Sequence, residues 1–129
     1  MFNTELTVRG YELDSYGHVN NAVYLQYFEQ ARWEIMKQMK ILDYLNMHEL
    51  LLVVTEIRIR YMRETNLFDE LIIESDFVPE PPYLVFEQKI RNRKTRRIVT
   101  KARVKTIFIN KSRIPQDIPA LFHNKQEGS

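Results

Sequence analysis

Nineteen consecutive residues, Ala22 to Lys40, contain neither glycine nor proline. At 1.5 Å of rise per residue such a stretch forms a helix of roughly 28 Å, enough to cross a whole small domain. Asn20 or Asn21 supplies an N-cap, because its side-chain oxygen can accept a first-turn N–H. Tyr24, Tyr27, Phe28, Ala31, Ile35 and Met39 recur at steps of three and four and make one apolar stripe. Val23, Leu25, Trp33 and Met36 widen the apolar surface, so the helix is expected to be wrapped on several sides rather than laid on a surface. A second short helix or turn is expected at 42–48.

Nearly everything else reads as strand. Residues 2–9 carry Phe2, Leu6 and Val8 on one side of a short strand that Gly10 ends. Residues 51–63 pass from an apolar run into alternation, with Ile57, Ile59 and Tyr61 against Arg58, Arg60 and Met62. Strands follow at 71–78, 83–93 and 98–110, separated by a turn at 66–69, the break PEPP at 79–82 and the turn KTRR at 94–97. Such short connections predict antiparallel hairpins in series. The economical packing is α+β, one strongly curved antiparallel sheet wrapped around one long central helix. The tail after Pro115 has room for one helical turn, and disorder is expected from His123 on.

With 129 residues the chain has the size of one domain and no internal linker. It has no cysteine, hence no disulfide, no thiolate metal site and no cysteine nucleophile. Three glycines cannot supply a P-loop or a dinucleotide fingerprint. No cofactor and no metal are implied. A net charge of +2 does not suggest a dedicated nucleic-acid binder. No apolar run approaches the roughly 20 residues that span a bilayer, and no signal peptide is visible at the start. The expected setting is therefore cytoplasmic, without a membrane partner.

The densest cluster of chemistry-bearing side chains is Tyr11 to Asn21, bracketed by Gly10 and Gly17, just before the long helix. A helix start offers unpaired N–H groups and the positive end of the macrodipole, which stabilise a developing oxyanion. Asp14, a few residues upstream, is the carboxylate that could face a carbonyl polarised there. The bland reading is equally physical: Asp, Ser, Gly and Asn are ordinary loop and cap residues.

The run D14-S15-Y16-G17-H18-V19-N20-N21-A22-V23-Y24-L25-Q26-Y27-F28-E29-Q30-A31-R32 resembles the signature of the hotdog-fold acyl-CoA thioesterases of the 4-hydroxybenzoyl-CoA thioesterase family. That pattern, roughly D-x-x-G-H-V-N-N-x-x-Y-x-x-Y-x-E-x-A-R, is matched at every specified position. The element order fits over residues 2–110, and Asp69 falls where members often carry Asp. The resemblance implies a hotdog fold, a homodimer pairing sheets edge to edge or a homotetramer, and an active site at the dimer interface. The implied substrate is a thioester of coenzyme A or acyl carrier protein. It makes Asp14 the catalytic carboxylate, as nucleophile or general base, and the N–H near Asn21 the donor that polarises the carbonyl. The alternatives are a non-catalytic hotdog module that binds acyl thioesters or a partner protein, and a nucleic-acid binder using the basic hairpin.

Other side chains compete for roles. His18 could orient the thioester, against a simpler part in shaping the loop. Glu29 and Arg32 read as an i,i+3 ion pair, with Glu29 a second carboxylate candidate because another hotdog branch uses a helix glutamate near that depth. Glu12 is expected to face solvent. Tyr24, Tyr27 and Phe28 are core or acyl-pocket wall. The segment 91–97 has five basic residues in seven, Arg91, Arg93, Lys94, Arg96 and Arg97. It is either a solvated turn or a device for coenzyme A phosphates or an acidic carrier protein, extended along one strand face by Lys101, Arg103 and Lys105.

Overall fold

The computed structural model describes residues 1–123, so the expectation for the tail beyond His123 lies outside the described residues. The elements run β1 (Phe2–Thr7), α1 (Asn21–Gln38), α2 (Ile41–Met47), β2 (Leu50–Tyr61), β3 (Glu70–Glu80), β4 (Tyr83–Asn92), β5 (Ile98–Asn110) and β6 (Pro115–Gln116). Helix α1 begins at the expected cap: Asn20 Oδ1 accepts the Ala22 N–H at 2.8 Å. It ends two residues before Lys40, which takes a left-handed conformation (φ 57°) and turns the chain into α2.

The strands form one antiparallel sheet in the order β1-β3-β4-β5-β2, with β6 added to β5. β3, β4 and β5 are successive hairpins, as their short turns require. β2 and β3 are not a hairpin, which corrects the serial reading. β1 occupies the edge of β3 that such a hairpin would need, pairing Phe2–Thr7 with Glu70–Ser75, and β2 pairs instead with β5. Residues 62–69 therefore cross behind β4 and β5, about 14 Å at the usual strand spacing. The Asn66–Asp69 turn is real, but it serves the crossing: Asp69 Oδ2 accepts the Asn66 N–H at 2.9 Å.

The stripe on α1 is buried as expected. Tyr24, Tyr27, Phe28, Ala31 and Ile35 share a core with Ile73, Phe77, Phe86, Ile90, Val104 and Phe108 of the sheet. Arg32 is buried on the same face, where its Nη1 donates to Gln88 Oε1 at 3.0 Å. Gln88 in turn donates to the Phe28 carbonyl and to Ser75 Oγ, both at 3.0 Å, hitching helix to sheet. Burial pulls the Arg32 guanidinium below its ordinary pKa, and the charge of Glu29 opposes that.

The helix is not wrapped on several sides. The sheet covers one face, and Leu25 and Trp33 stay exposed. β2 explains the surplus of apolar surface. Its Ile57, Ile59 and Tyr61 stand in register with buried Val104, Ala102 and Thr100, so they face the core side. Yet Ile57 and Tyr61 are exposed, as are Leu51 and Val54 nearer its start. A 12-residue strand with an apolar first half and one edge unpaired among the described residues is a template for another strand.

Candidate active site

The crossing segment is what closes the site. The Val19 N–H bonds the Thr65 carbonyl at 3.0 Å, and His18 forms a bridge with Asn66. Tyr24 and Thr65 share a buried hydroxyl–hydroxyl bond of 2.7 Å. Burial raises the Tyr24 hydroxyl pKa, so this phenol stays protonated. Loop, helix start and crossing segment thereby enclose a cavity of about 410 Å³ lined by Asp14, His18, Asn21, Tyr24, Tyr61 and Glu64, among others.

Asp14 is held in a closed turn. Its N–H donates to the His18 carbonyl at 2.7 Å, and its carbonyl accepts the Gly17 N–H at 3.1 Å. Gly17 sits at φ 81°, a left-handed conformation that glycine adopts without strain. Oδ1 of Asp14 accepts the N–H of Tyr16 at 2.8 Å and that of His18 at 3.3 Å. This is an Asx turn of the bland kind. It also fixes the carboxylate while leaving Oδ2 without a hydrogen bond among the described residues.

The helix start is selectively capped. Asn20 Oδ1 takes the Ala22 N–H, and the Asn20 carbonyl takes the Val23 N–H at 2.9 Å. Among the described residues the Asn21 N–H meets no acceptor, and Asn21 lines the cavity. The Tyr61 hydroxyl donates to the Asn21 carbonyl at 3.1 Å and ties β2 to this turn. Asn20 is thus a cap, and Asn21 supplies the open donor.

His18 Nε2 lies 3.1 Å from Glu64 Oε2, so one ring nitrogen is oriented by a carboxylate at the cavity rim. Tyr24 lines the cavity, whereas Tyr27 points elsewhere: its hydroxyl donates to Glu12 Oε1 at 2.8 Å. Burial and that bond push the Tyr27 pKa strongly up. Glu29 is outside the cavity. It lines a separate apolar groove of about 470 Å³ with Trp33, Met36, Leu42, Leu45 and Leu51. Nor is Glu29 paired with Arg32; Glu29 Oε1 accepts the Trp33 indole N–H at 3.4 Å.

Glu12 corrects the sequence reading most clearly. It is 5% exposed, not solvent-facing. Oε1 accepts the Arg9 N–H at 2.8 Å as well as Tyr27, Oε2 accepts Arg9 Nη2 at 2.7 Å, and its carbonyl accepts the Asn20 N–H at 2.9 Å. Burial would raise this carboxyl, but the Arg9 and Tyr27 bonds outweigh it and hold the pKa below the ordinary range. A depressed folded-state pKa adds stability that is present at neutrality and is lost as pH falls through that lowered value. Glu12→Gln is therefore expected to cost about 2–3 kcal/mol at neutral pH. The gap between variant and wild type should shrink in acid, which urea unfolding at two pH values reads directly. A gap that widens in acid would show the sign to be wrong.

The basic segment divides. Arg91 Nε bonds Glu74 at 3.1 Å and its Nη1 bonds the Arg96 carbonyl at 2.9 Å, while Arg93 lies 3.6 Å from Glu5. Lys94 and Arg97, with Arg63 of the crossing segment, line a third cavity; Arg96 does not. Lys101, Arg103 and Lys105 do not extend that cavity: Lys101 and Arg103 line another one, and Lys105 pairs with Glu56 at 3.6 Å. Among the described residues no group of three or more His, Cys, Asp or Glu is placed to hold a metal ion. No helix there is long and apolar enough to cross a membrane.

Sequence reasoning missed Tyr61, Met62, Arg63 and Glu64 as walls of this site. Only the β2–β5 pairing brings them there, and no local spacing announces it.

A curved antiparallel sheet packed along one long helix is the hotdog fold. The chain belongs to the thioesterase-like superfamily, whose family model matches residues 8–125. It is 43% identical over 72 residues to the long-chain acyl-CoA thioesterase FadM of Escherichia coli (strain K12), covering 56% of this chain and 54% of that protein. It is 32% identical over 72 residues to the chloroplastic acyl-acyl carrier protein thioesterase ATL3 of Arabidopsis thaliana, covering 55% of this chain and 38% of that one. The matches thus span about half or less of these relatives' lengths. The crystal structure of YbaW, a probable thioesterase from Escherichia coli, superposes with a TM-score of 0.85 at 31% identity, covering 90% of this chain and 89% of that one.

Proposed function

We propose that this protein hydrolyses acyl-coenzyme A thioesters, with Asp14 as the essential carboxylate and the Asn21 N–H as oxyanion donor. The observation that carries the reading is one cavity lined by both residues, where the neighbouring helix N–H groups are capped and that of Asn21 is not. A thioester carbonyl seated at Asn21 is polarised by the N–H and the helix dipole. Two routes fit. Oδ2 attacks the carbonyl carbon, the C–S bond breaks, the thiolate leaves and takes a proton, and water then hydrolyses the mixed anhydride. Alternatively Asp14 takes a proton from water as its oxygen attacks, and the C–S bond breaks in the collapse of the tetrahedral intermediate.

The working unit in this reading is a dimer made by antiparallel self-pairing of β2. In one chain the apolar groove lies at Leu50–Leu52 and Val54, whereas the cavity lies at Tyr61–Glu64. From Leu52 to Tyr61 the strand runs about 30 Å, too far for one acyl group to bridge the two. A two-fold axis at the middle of β2 sets Leu52 opposite Ile59 of the partner subunit and brings each groove beside the other copy's Asp14. The acyl chain then lies among Trp33, Met36, Leu42 and Leu45 of the second subunit. That places Glu29 near the substrate as a rim residue rather than the principal acid. The membership in the 4-hydroxybenzoyl-CoA thioesterase branch proposed from the sequence rests on the Asp14 to Arg32 run.

A groove of about 470 Å³ with apolar walls suits a long aliphatic acyl group, in keeping with the name of the FadM relative. A thiol-release panel of short, long and aromatic acyl-CoAs tests it. Specificity is expected to rise with chain length by several-fold per pair of methylenes until the groove is filled. Binding without release of any thiol would favour the non-catalytic module instead.

A further inference from the structure

The third cavity, about 900 Å³, adjoins the candidate active site, since Arg63 and Glu64 line both. It runs between the Asn66–Asp69 turn and the β4–β5 hairpin. Two features of it are unexplained by folding. Phe68 is 73% exposed and sits at φ 66°. A bulky side chain held outward in the left-handed region costs free energy twice, in backbone strain and in wetted ring surface. The strain is enforced by its neighbours: the Phe68 N–H bonds the Val8 carbonyl at 3.1 Å, and the Val8 N–H bonds the Asp69 carbonyl at 2.9 Å. Opposite, Lys94 and Arg97 have no ion-pair partner among the described residues, although Arg91, Arg93 and Arg103 each have one. Arg63 donates one N–H to the Ile98 carbonyl at 2.7 Å, which orients its guanidinium and leaves further donors open. Of the carboxylates on the same walls, Glu64 is engaged by His18, and Asp69 by the Asn66 N–H. Glu70 stands at the start of β3, where its carbonyl accepts the Arg93 N–H at 2.9 Å.

We infer that this groove holds the 3′-phosphorylated ADP end of coenzyme A, with Phe68 as a platform for the adenine and Lys94, Arg97 and Arg63 as the phosphate cations. The inference rests on the thioesterase reading for its ligand. An exposed, rigidly mounted aromatic ring offers a stacking face to a base. Cations without internal partners lose no ion pair when they turn to phosphates. The groove adjoins the cavity that Asp14 lines, so the pantetheine arm would lead past Arg63 and Glu64 from the nucleotide to the thioester. A carrier protein presents only the phosphopantetheine, so the site commits this chain to the free coenzyme.

The test pairs binding with turnover. Adenosine 3′,5′-bisphosphate and, separately, inorganic phosphate are titrated calorimetrically against the wild-type protein, Phe68→Gly and a Lys94→Glu/Arg97→Glu double variant. The nucleotide should bind the wild type, and Phe68→Gly should weaken it roughly tenfold while leaving phosphate binding unchanged. Because glycine relieves the left-handed backbone, Phe68→Gly should melt no lower than the wild type, which a merely structural role for the ring would not give. The double variant should weaken both probes. In kinetics, both variants should raise KM for acyl-CoA with kcat unchanged and leave acyl-pantetheine, which lacks the nucleotide, untouched. No binding of the bisphosphate, or equal effects on acyl-CoA and acyl-pantetheine, would overturn the inference. Nucleotide binding with the expected variant pattern, but no thiol release from either substrate, would uphold the groove and sink the hydrolase reading instead.

Discussion

Asp14→Asn should leave the fold intact and lower thiol release from the best acyl-CoA by about 10³-fold or more. Asparagine keeps the side-chain oxygen that accepts the Tyr16 and His18 N–H groups, so the Asx turn survives. What disappears is the second carboxylate oxygen, the one without a hydrogen bond among the described residues. Near-UV circular dichroism and melting temperature should match the wild type, and substrate binding should persist. Single-turnover hydrolysis of the wild type in heavy-oxygen water then separates the two routes. Label in the Asp14 carboxylate marks attack by Oδ2, and label confined to the first product marks general-base catalysis. Wild-type rates in Asp14→Asn would remove this residue from the chemistry.

The second large effect is expected at the edge of β2. Ile57 faces the core side yet is exposed, opposite buried Val104. Ile57→Lys gives each strand a charge that snorkels to water in a monomer but is trapped when two edges pair. Across a two-fold axis every substitution counts twice. A penalty of about 2 kcal/mol per copy becomes roughly a thousandfold in the dimer dissociation constant. Sedimentation should show wild-type dimers and variant monomers. Turnover should fall to background even though Asp14, His18 and Asn21 are untouched, because in the proposed dimer the acyl groove is supplied by the other subunit. Full activity in a monomeric variant would confine the site to one chain.

These effects trace back to what local spacing can and cannot carry. The α1 stripe, the Asn20 cap and the Asp14 loop were legible because each depends on residues within one or two turns of each other. The hairpins of β3, β4 and β5 were legible for the same reason. The crossing at 62–69 was not, since it is decided by β1 claiming the edge of β3 nearly seventy residues away. Three walls of the candidate site, Met62, Arg63 and Glu64, arrive with that crossing. Glu12 was misread because the donors that make its burial tolerable include Tyr27, on the next element. The basic hairpin showed its charge but not its pairing: Glu74 and Glu5 claim Arg91 and Arg93 from other strands. The excess apolar surface of α1 was read as a sign of wrapping. It marks instead a groove that a single chain leaves open.

Co-expression of two inactive variants tests the shared site most directly. Asp14→Asn keeps the apolar groove, and Met36→Trp, which fills that groove, keeps the acid. Each homodimer should be inactive on long-chain acyl-CoA. Mixed dimers hold one intact site, so random pairing should restore about a quarter of wild-type turnover. A mixture as inactive as its components, with mixed dimers present, would contradict a site built from the acid of one copy and the groove of the other.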